Sequence, residues 1–562
     1  MSFSACFLFA ALSASAVGSP CPTVATVERP VRVYTNDAGR ITVDFGRDAF
    51  GWLELVAPRT GDYFVVLGEK LGADGGVERG FAPNVRAVGA KWRVEAPGVH
   101  RVPVAPDMRN SFPAKEGAPI PTRPEFGVLT PFRAVEFFDA PFEVTADVVR
   151  RQVVSVPADR GESAFSCDSS ALVRVYDFCK HTMFATSFAG LFVDGDRERI
   201  PYEADGYVSQ LNWLSVSSDN SYPRASVEYL MEHPTWPTEF RMCSVFSVWT
   251  DWMWSGRTDL IERSFDRLAR ENLHLSLRRP DGLLLTGGER PKNVLTNRLG
   301  VADIVDWPKS ERDGFDFRDV NAVVNAFHFR ALGQMSDMAK AIGRESDAIR
   351  YAALADETRR VFQRTFISPS TGLVTDGEGS THSSIHANAA ALAFGLLPDS
   401  GKGRVADWLV SRGMACSVYF SNYLLEALYR CGRPEEALRL LTARNDRSWL
   451  GMLDQGATMT MEAWNMDVKP NMDWNHAWGA VPLNIITRFL LGVRPSEPGF
   501  RRILVAPQPG SLKLVKATVP TAAGPVALSI DGDRLNVSTP APATVIWRGQ
   551  TRTVNPGSFE FK

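Results

Sequence analysis

The chain has 562 residues, a length that calls for roughly three to four domains and a core large enough to need no disulfide or metal staple. Apolar residues make up 44% and charged residues 22%, as in ordinary globular proteins, and the net charge of −2 excludes a nucleic-acid surface built on a Lys/Arg excess. Fourteen Trp and thirty-three Phe suit a large core and suit a carbohydrate-binding cleft equally well.

Residues 1–18, "MSFSACFLFAALSASAVG", read as a secretory signal peptide: an apolar stretch, then small residues ahead of a cleavage point at Ala16 or Gly18, though no Lys or Arg precedes it. A buried N-terminal strand is the other reading. The signal predicts a secreted or periplasmic protein, and no later stretch of about twenty apolar residues predicts a membrane span. Residues 24–158 read as an N-terminal β-sandwich, with "RITVDFGRDAFGWLELVAP" and "GDYFVVLGEKL" punctuated by Gly, Pro and Asp turns. From residue 159 the apolar period changes from two to 3.6, and about twelve amphipathic segments follow up to residue 493. Twelve helices pair into six antiparallel hairpins, which predicts an (α/α)6 barrel with its loops meeting at one end. An α-solenoid would show a fixed repeat period, and none is visible. Residues 494–562 return to short β segments, read as a small C-terminal β-sandwich. The seven cysteines lie far apart, with no CxxC pair and no metal spacing, and "GADGG" (72–76) is a turn signal rather than a cofactor motif.

"LFVDGDRERIPYEADGY" (191–207) sets acids among Phe, Ile, Pro and Tyr, unlike a solvated charged face. If 198–205 were helical, Glu198, Tyr202 and Asp205 would share one face at i, i+4, i+7. A helix starting at Pro201 would instead leave 194–199, with Asp194, as a loop over its N-terminus. The plain alternative is a capping and salt-bridge cluster in which Arg197 and Arg199 satisfy the acids. A second site lies far along the chain. "LDQGATMTMEAWN" (453–465) holds Glu462 between apolar residues beside Trp464, where a carboxylate is costly unless paired or functional, and "NMDWNHAWGA" follows with His476. Two such carboxyls are what glycoside hydrolysis requires, one on each side of the scissile bond. Trp249, Trp252 and Trp254 in "SVWTDWMWSG", and Trp307 beside Asp306, could stack on sugar rings or fill the core.

Several ordered motifs resemble α-L-rhamnosidases of glycoside hydrolase family 78, and the resemblance covers nearly the whole chain. "DGDRERIPYEAD" resembles the family's acid-bearing motif, "GATMTMEAWN" its base-bearing segment, and "NHAWGAV" with "LGVRPSEPGFRRILVAPQPG" the stretch that closes the barrel and opens the last sandwich. The resemblance implies a general acid at Glu198 and a general base at Glu462. It places sugar-hydroxyl acids at Asp194 and Asp205, an aromatic wall at Tyr202, a rhamnose-lining indole at Trp307 and a histidine near the base at His476, with Trp249 on less diagnostic flanks. It implies a rhamnosylated oligo- or polysaccharide as substrate and single-displacement inversion, while the sequence itself shows no cofactor motif and no EF-hand-like spacing. "DGD" departs from the family's "DCP", and Tyr202–Glu203 stands where a Trp-Thr pair is common. The rival readings are a glycosidase of the same scaffold acting on another sugar, a non-catalytic carbohydrate-binding homologue, and a lyase, whose basic groove this chain lacks.

Overall fold

The computed structural model describes residues 18–79, 85–113, 117–287 and 300–562. The expected signal peptide lies outside these residues, except for Gly18. The eight strands of the N-terminal part form the expected β-sandwich, its two halves joined through one long strand. The 17-residue strand Ile41–Ala57 carries most of it, pairing with Thr130–Asp139 and Val149–Ser155 and with the short strands Arg32–Thr35 and Gly98–Arg101. Its pairing slips between Asp44 and Ala49, and such a bulge bends a strand and increases its twist. Val43, Phe45, Leu53 and Leu55 alternate inward from both sides of the bulge and close a core with Tyr63, Val65, Leu67 and Phe132.

The middle of the chain is the expected barrel. Its inner helices are α1 (Glu203–Trp213), α2 (Thr238–Ser255), α3 (Ala322–Ala341), α4 (Ile385–Ala393), α5 (Ser421–Arg430) and α6 (Pro482–Ile485), the last extended by a wider turn over Ile486–Leu490. Each packs on the next and α6 packs back on α1, so the ring closes. Outer helices such as Ser221–Glu232, Glu345–Phe366 and Asp399–Arg412 cover the ring from outside. Inner helices are apolar on nearly every side because both faces are covered, and in α1 every residue is buried. "NHAWGAVPLNIITRFLLG" reads as one helix in the sequence but breaks into Ala477–Ala480, α6 and the wider turn, Pro482 sitting where a first helical turn tolerates it.

Two sheets finish the chain. One runs in the order Val493–Glu497, Arg502–Val505, Ala543–Trp547, Gln550–Val554. The other has at its edge Ala164–Cys167, paired antiparallel with Leu514–Val519. This four-residue strand precedes the barrel in sequence but sits with the last sheet, inside the 159–493 span assigned above to the barrel. Phe165, Val515, Ala517 and Val519 join the same continuous core as the inner helices, so the last sheets are packed onto the barrel rather than tethered beside it. Among the described residues the cysteines are all free, and no helix is long and apolar enough to cross a membrane.

Candidate active site

The residues singled out in the sequence gather at the N-terminal ends of the inner helices. Between the helix Ser170–Ala185 and α1 the chain makes one helical turn, Gly195–Glu198, which Arg199 ends in the left-handed region (φ 55). The continuous helix over 198–205 therefore does not form. Glu198 lies on the short turn, and α1 begins at Glu203 after Ile200, Pro201 and Tyr202. The side chains still meet, since the Tyr202 hydroxyl donates to Glu198 Oε2 at 3.3 Å.

Gly195 shows why "DGD" stands here. Its φ is +75, and a Cβ on it would lie 2.8 Å from Cβ and Cγ of Asp473. Asp473 in turn holds the second site. Its backbone N–H donates to Glu462 Oε2 at 3.1 Å, its carbonyl accepts from the Glu462 N–H at 3.0 Å, and its Oδ1 accepts the Arg197 N–H at 3.0 Å. Gly195→Ala is expected to cost about 1–3 kcal/mol from the left-handed backbone alone, with the clash added. A lower urea midpoint together with a drop in turnover would check it; unchanged turnover would show that Asp473 does not transmit the displacement to Glu462.

The two glutamates sit on one guanidinium. Arg197 contacts Glu198 Oε1 through Nη1, while its Nη2 lies 3.9 Å from Glu462 Oε1 and 3.9 Å from Asp194 Oδ2. Their settings differ. Glu198 is half-buried. Glu462 is 3% exposed, and Lys469 Nζ donates to its Oε2 at 2.7 Å. Burial alone would push the Glu462 carboxyl up, but Lys469, then Arg197, outweigh it and hold the group below the usual glutamate range. The neighbouring acids go the other way. Burial, and after it Glu198, pushes Asp194 well up; burial, and after it Glu462, does the same to Asp205; and Asp473 is pushed up to about 8 by burial and by Glu462. His476 Nε2 lies 3.5 Å from Asp205 Oδ1, and burial pushes its ring down to about 3, which leaves a neutral imidazole. Asp194, Asp205 and His476 are thus neutral at neutral pH beside Glu462, which its two cations keep ionised.

The other acids of the run are structural. Asp196 is buried between Arg199 and Arg86, and its N–H donates to Asn475 Oδ1 at 2.8 Å. Glu203 accepts from the Thr235 N–H and hydroxyl. The salt-bridge alternative therefore holds for Asp196, while Glu203 is held by Thr235. The N-terminal sheet braces the turn, because Glu69 and Arg86 adjoin its strands Gly61–Gly68 and Ala87–Val94, Arg86 pairs with Asp196 and Glu69 accepts from Asn475 Nδ2 at 2.7 Å.

Trp307 is half-buried on a loop tied to the Glu462 segment. Asp306 accepts from the Ser417 N–H at 2.9 Å and hydrogen-bonds His386 Nε2 at 2.7 Å, and the Trp464 indole donates to the Cys416 carbonyl at 2.7 Å. Two residues earlier, Val305 is in the left-handed region (φ 62), a costly place for a β-branched side chain. The Glu239 carboxylate in the first turn of α2 accepts both the Ile304 and Val305 N–H groups. Strain over-determined in this way is typical of a functional loop.

Trp249 is not brought to this cluster. It lies ten residues beyond Glu239 on α2, about 15 Å along the axis, and its indole donates to Asp337 on α3 at 3.3 Å. Its place in an aromatic-rich segment carried no information about which end of the helix bears the cleft. The residue missed in the sequence is Lys469, and the reach of Arg197 beyond its own run to Glu462 is not visible there either. Among the described residues no three His, Cys, Asp or Glu side chains are grouped to hold a metal ion.

Comparison with known proteins agrees with this architecture. The description "bacterial alpha-L-rhamnosidase 6 hairpin glycosidase domain" matches residues 160–490, and "bacterial alpha-L-rhamnosidase C-terminal domain" matches residues 492–545. A curated α-L-rhamnosidase of Alteromonas sp. (strain LOR) is 25% identical over 273 residues, 45% of this chain and 29% of that protein. The chain spans between 23% and 35% of the length of the curated relatives it matches. Solved α-L-rhamnosidases share the fold at 16% identity. That of Dictyoglumus thermophilum has a TM-score of 0.77 over 97% of this chain and 64% of its own. That of Streptomyces avermitilis, complexed with L-rhamnose, has a TM-score of 0.77 over 97% of this chain and 54% of its own. With more than half of its residues inside the first match, the chain belongs to the bacterial α-L-rhamnosidase six-hairpin glycosidases.

Proposed function

We propose that the chain is an inverting glycoside hydrolase that releases terminal α-L-rhamnose from rhamnosylated oligo- or polysaccharides. The observation that carries this reading is the pair Glu198 and Glu462 on one guanidinium, with Glu462 buried and held ionised by Lys469 and Arg197. Glu198 protonates the glycosidic oxygen as the oxocarbenium-like transition state develops. Glu462 takes a proton from a water attacking the opposite face. A shared guanidinium keeps the two carboxyls on the order of 9 Å apart or less, compatible with the ~6.5–9.5 Å an intervening water requires.

Asp194, Asp205 and His476 hold sugar hydroxyls, the two acids doing so in their neutral form, in which each both donates and accepts. Tyr202 and Trp307 supply ring faces to the sugar. The apolar residues 1–18 support a secreted or periplasmic location, which fractionation of a tagged full-length chain tests directly. The reaction is tested by NMR during hydrolysis of a rhamnosylated disaccharide, where β-L-rhamnose appearing first is expected. First-formed α-L-rhamnose would overturn inversion, and release of a different sugar from a panel of glycosides would overturn the substrate.

A further inference from the structure

At the end of the barrel away from Glu198, a cavity of about 710 Å³ opens between the C-terminal ends of the inner helices and the last sheets. Trp249, Trp254, Phe394 and Phe489 give it aromatic walls, and Arg330, Lys402, Arg430, Arg488 and Arg494 give it five cations. Few carboxylates answer them. Glu426, buried beside the cavity, is shared by Arg430 at 2.8 Å and Arg488 at 3.0 Å, and Lys402 pairs outward with Asp399 at 2.6 Å. Arg330 makes no ion pair with a carboxylate among the described residues and feels Glu426 only at longer range. Its Nη2 donates to the Tyr207 hydroxyl at 2.6 Å, and its guanidinium lies 4.7 Å from the Phe246 ring centre and 4.8 Å from that of Phe394. Arg494 stands over Phe489 at 5.1 Å with its Nε buried and unbonded. Burial and the repulsion of Arg488 and Arg430 outweigh Glu426 and push its guanidinium down to about 10, the mark of cations that outnumber their carboxylate.

Helix C-termini favour cations, but that effect fades within the last turn. It does not explain Arg330, at the middle of α3, nor Arg494, on the last sheets. Guanidiniums in excess of their one shared carboxylate suit an oxyanion, with the forked geometry that matches a carboxylate, and indole faces beside them suit the apolar face of a sugar ring.

We propose that this cavity binds an anionic sugar, its carboxylate held by Arg494, Arg488 and Arg330 and its ring resting on Trp249. Such a site would let the enzyme hold an acidic polysaccharide at a point remote from the bond it cuts, and it stands on geometry independent of the reaction assigned to Glu198 and Glu462.

Calorimetric titration of the full chain with D-glucuronate, D-glucose and inorganic phosphate tests it. Saturable glucuronate binding is expected, with glucose at least about tenfold weaker and Arg494→Met costing about ten- to a hundredfold, the loss usual for a charged hydrogen bond. Arg494→Lys, which keeps the charge without the fork, should fall between the two, and Trp249→Leu should weaken glucuronate but not phosphate. Excess L-rhamnose should leave the binding unchanged, which separates this cavity from the catalytic cluster. Equal affinity for glucose, phosphate binding as tightly as glucuronate, displacement by L-rhamnose, or insensitivity to both Arg494 variants would each overturn the proposal.

Discussion

Glu198→Gln is expected to lower kcat/KM on a rhamnosyl disaccharide by about 10²–10⁴-fold, the share that one general acid commonly supplies. The amide fills the same space on the Gly195–Glu198 turn and can still contact Tyr202 and Arg197, so melting temperature should move little. The loss should depend on the leaving group. A dinitrophenolate departs without a proton, so Glu198→Gln should be far less impaired on a dinitrophenyl rhamnoside than on the disaccharide. Glu462→Gln should be impaired on both by similar factors, because activation of water does not depend on the leaving group. The pair of slopes separates the two roles, which a simple loss of activity would not. If Glu198→Gln fell equally on both substrates, Glu198 would not be the acid, and near-wild-type hydrolysis by either variant would remove that residue from the mechanism.

How far these residues were legible in the sequence depended on whether their signal was local. Glu198, Asp205, Glu462 and His476 stand out because a titratable group between Trp, Tyr and Ile is costly unless something compensates it, and the structure does bring them together. The barrel was legible for a similar reason, since a period of 3.6 sustained over three hundred residues leaves few ways to bury so many apolar stripes. What compensates each carboxylate was not legible. Arg197 reads as one more charge in an acidic run, yet it reaches Glu462, 265 positions away, at 3.9 Å. The split of the acids into structural (Asp196, Glu203) and site-facing (Asp194, Asp205) depends on Arg86 and Thr235, which come from other segments, together with Arg199 of the same run. Trp249 misled because helical periodicity reports a face of the helix and not which end carries the cleft. Ala164–Cys167 was missed because four residues at a change of period carry too little pattern to say which sheet they join.

Lys469→Met is expected to change the enzyme's pH dependence more than its fold. Lys469 is the largest favourable charge on Glu462, buried with it and 2.7 Å away. In the native protein Glu462 has a depressed pKa, so it contributes stability above the unfolded glutamate value of about 4.3. That stability is lost as pH falls through the lower folded value. Removing the ammonium leaves burial to dominate, with Arg197 the remaining cation, so the folded pKa rises and the sign reverses. The variant should then be least stable at neutral pH, where breaking a buried pair costs about 3–5 kcal/mol, and should recover relative to wild type as Glu462 takes up a proton in acid. Because the base must be ionised to activate water, the acidic limb of kcat/KM should move to higher pH, while the basic limb, set by the proton on the acid, stays in place. Denaturant midpoints and pH–rate profiles measured on the same preparations would show both shifts together. A uniform fall in rate with an unmoved acidic limb would mean that Lys469 holds the loop around Asn471 and does not set the charge on Glu462.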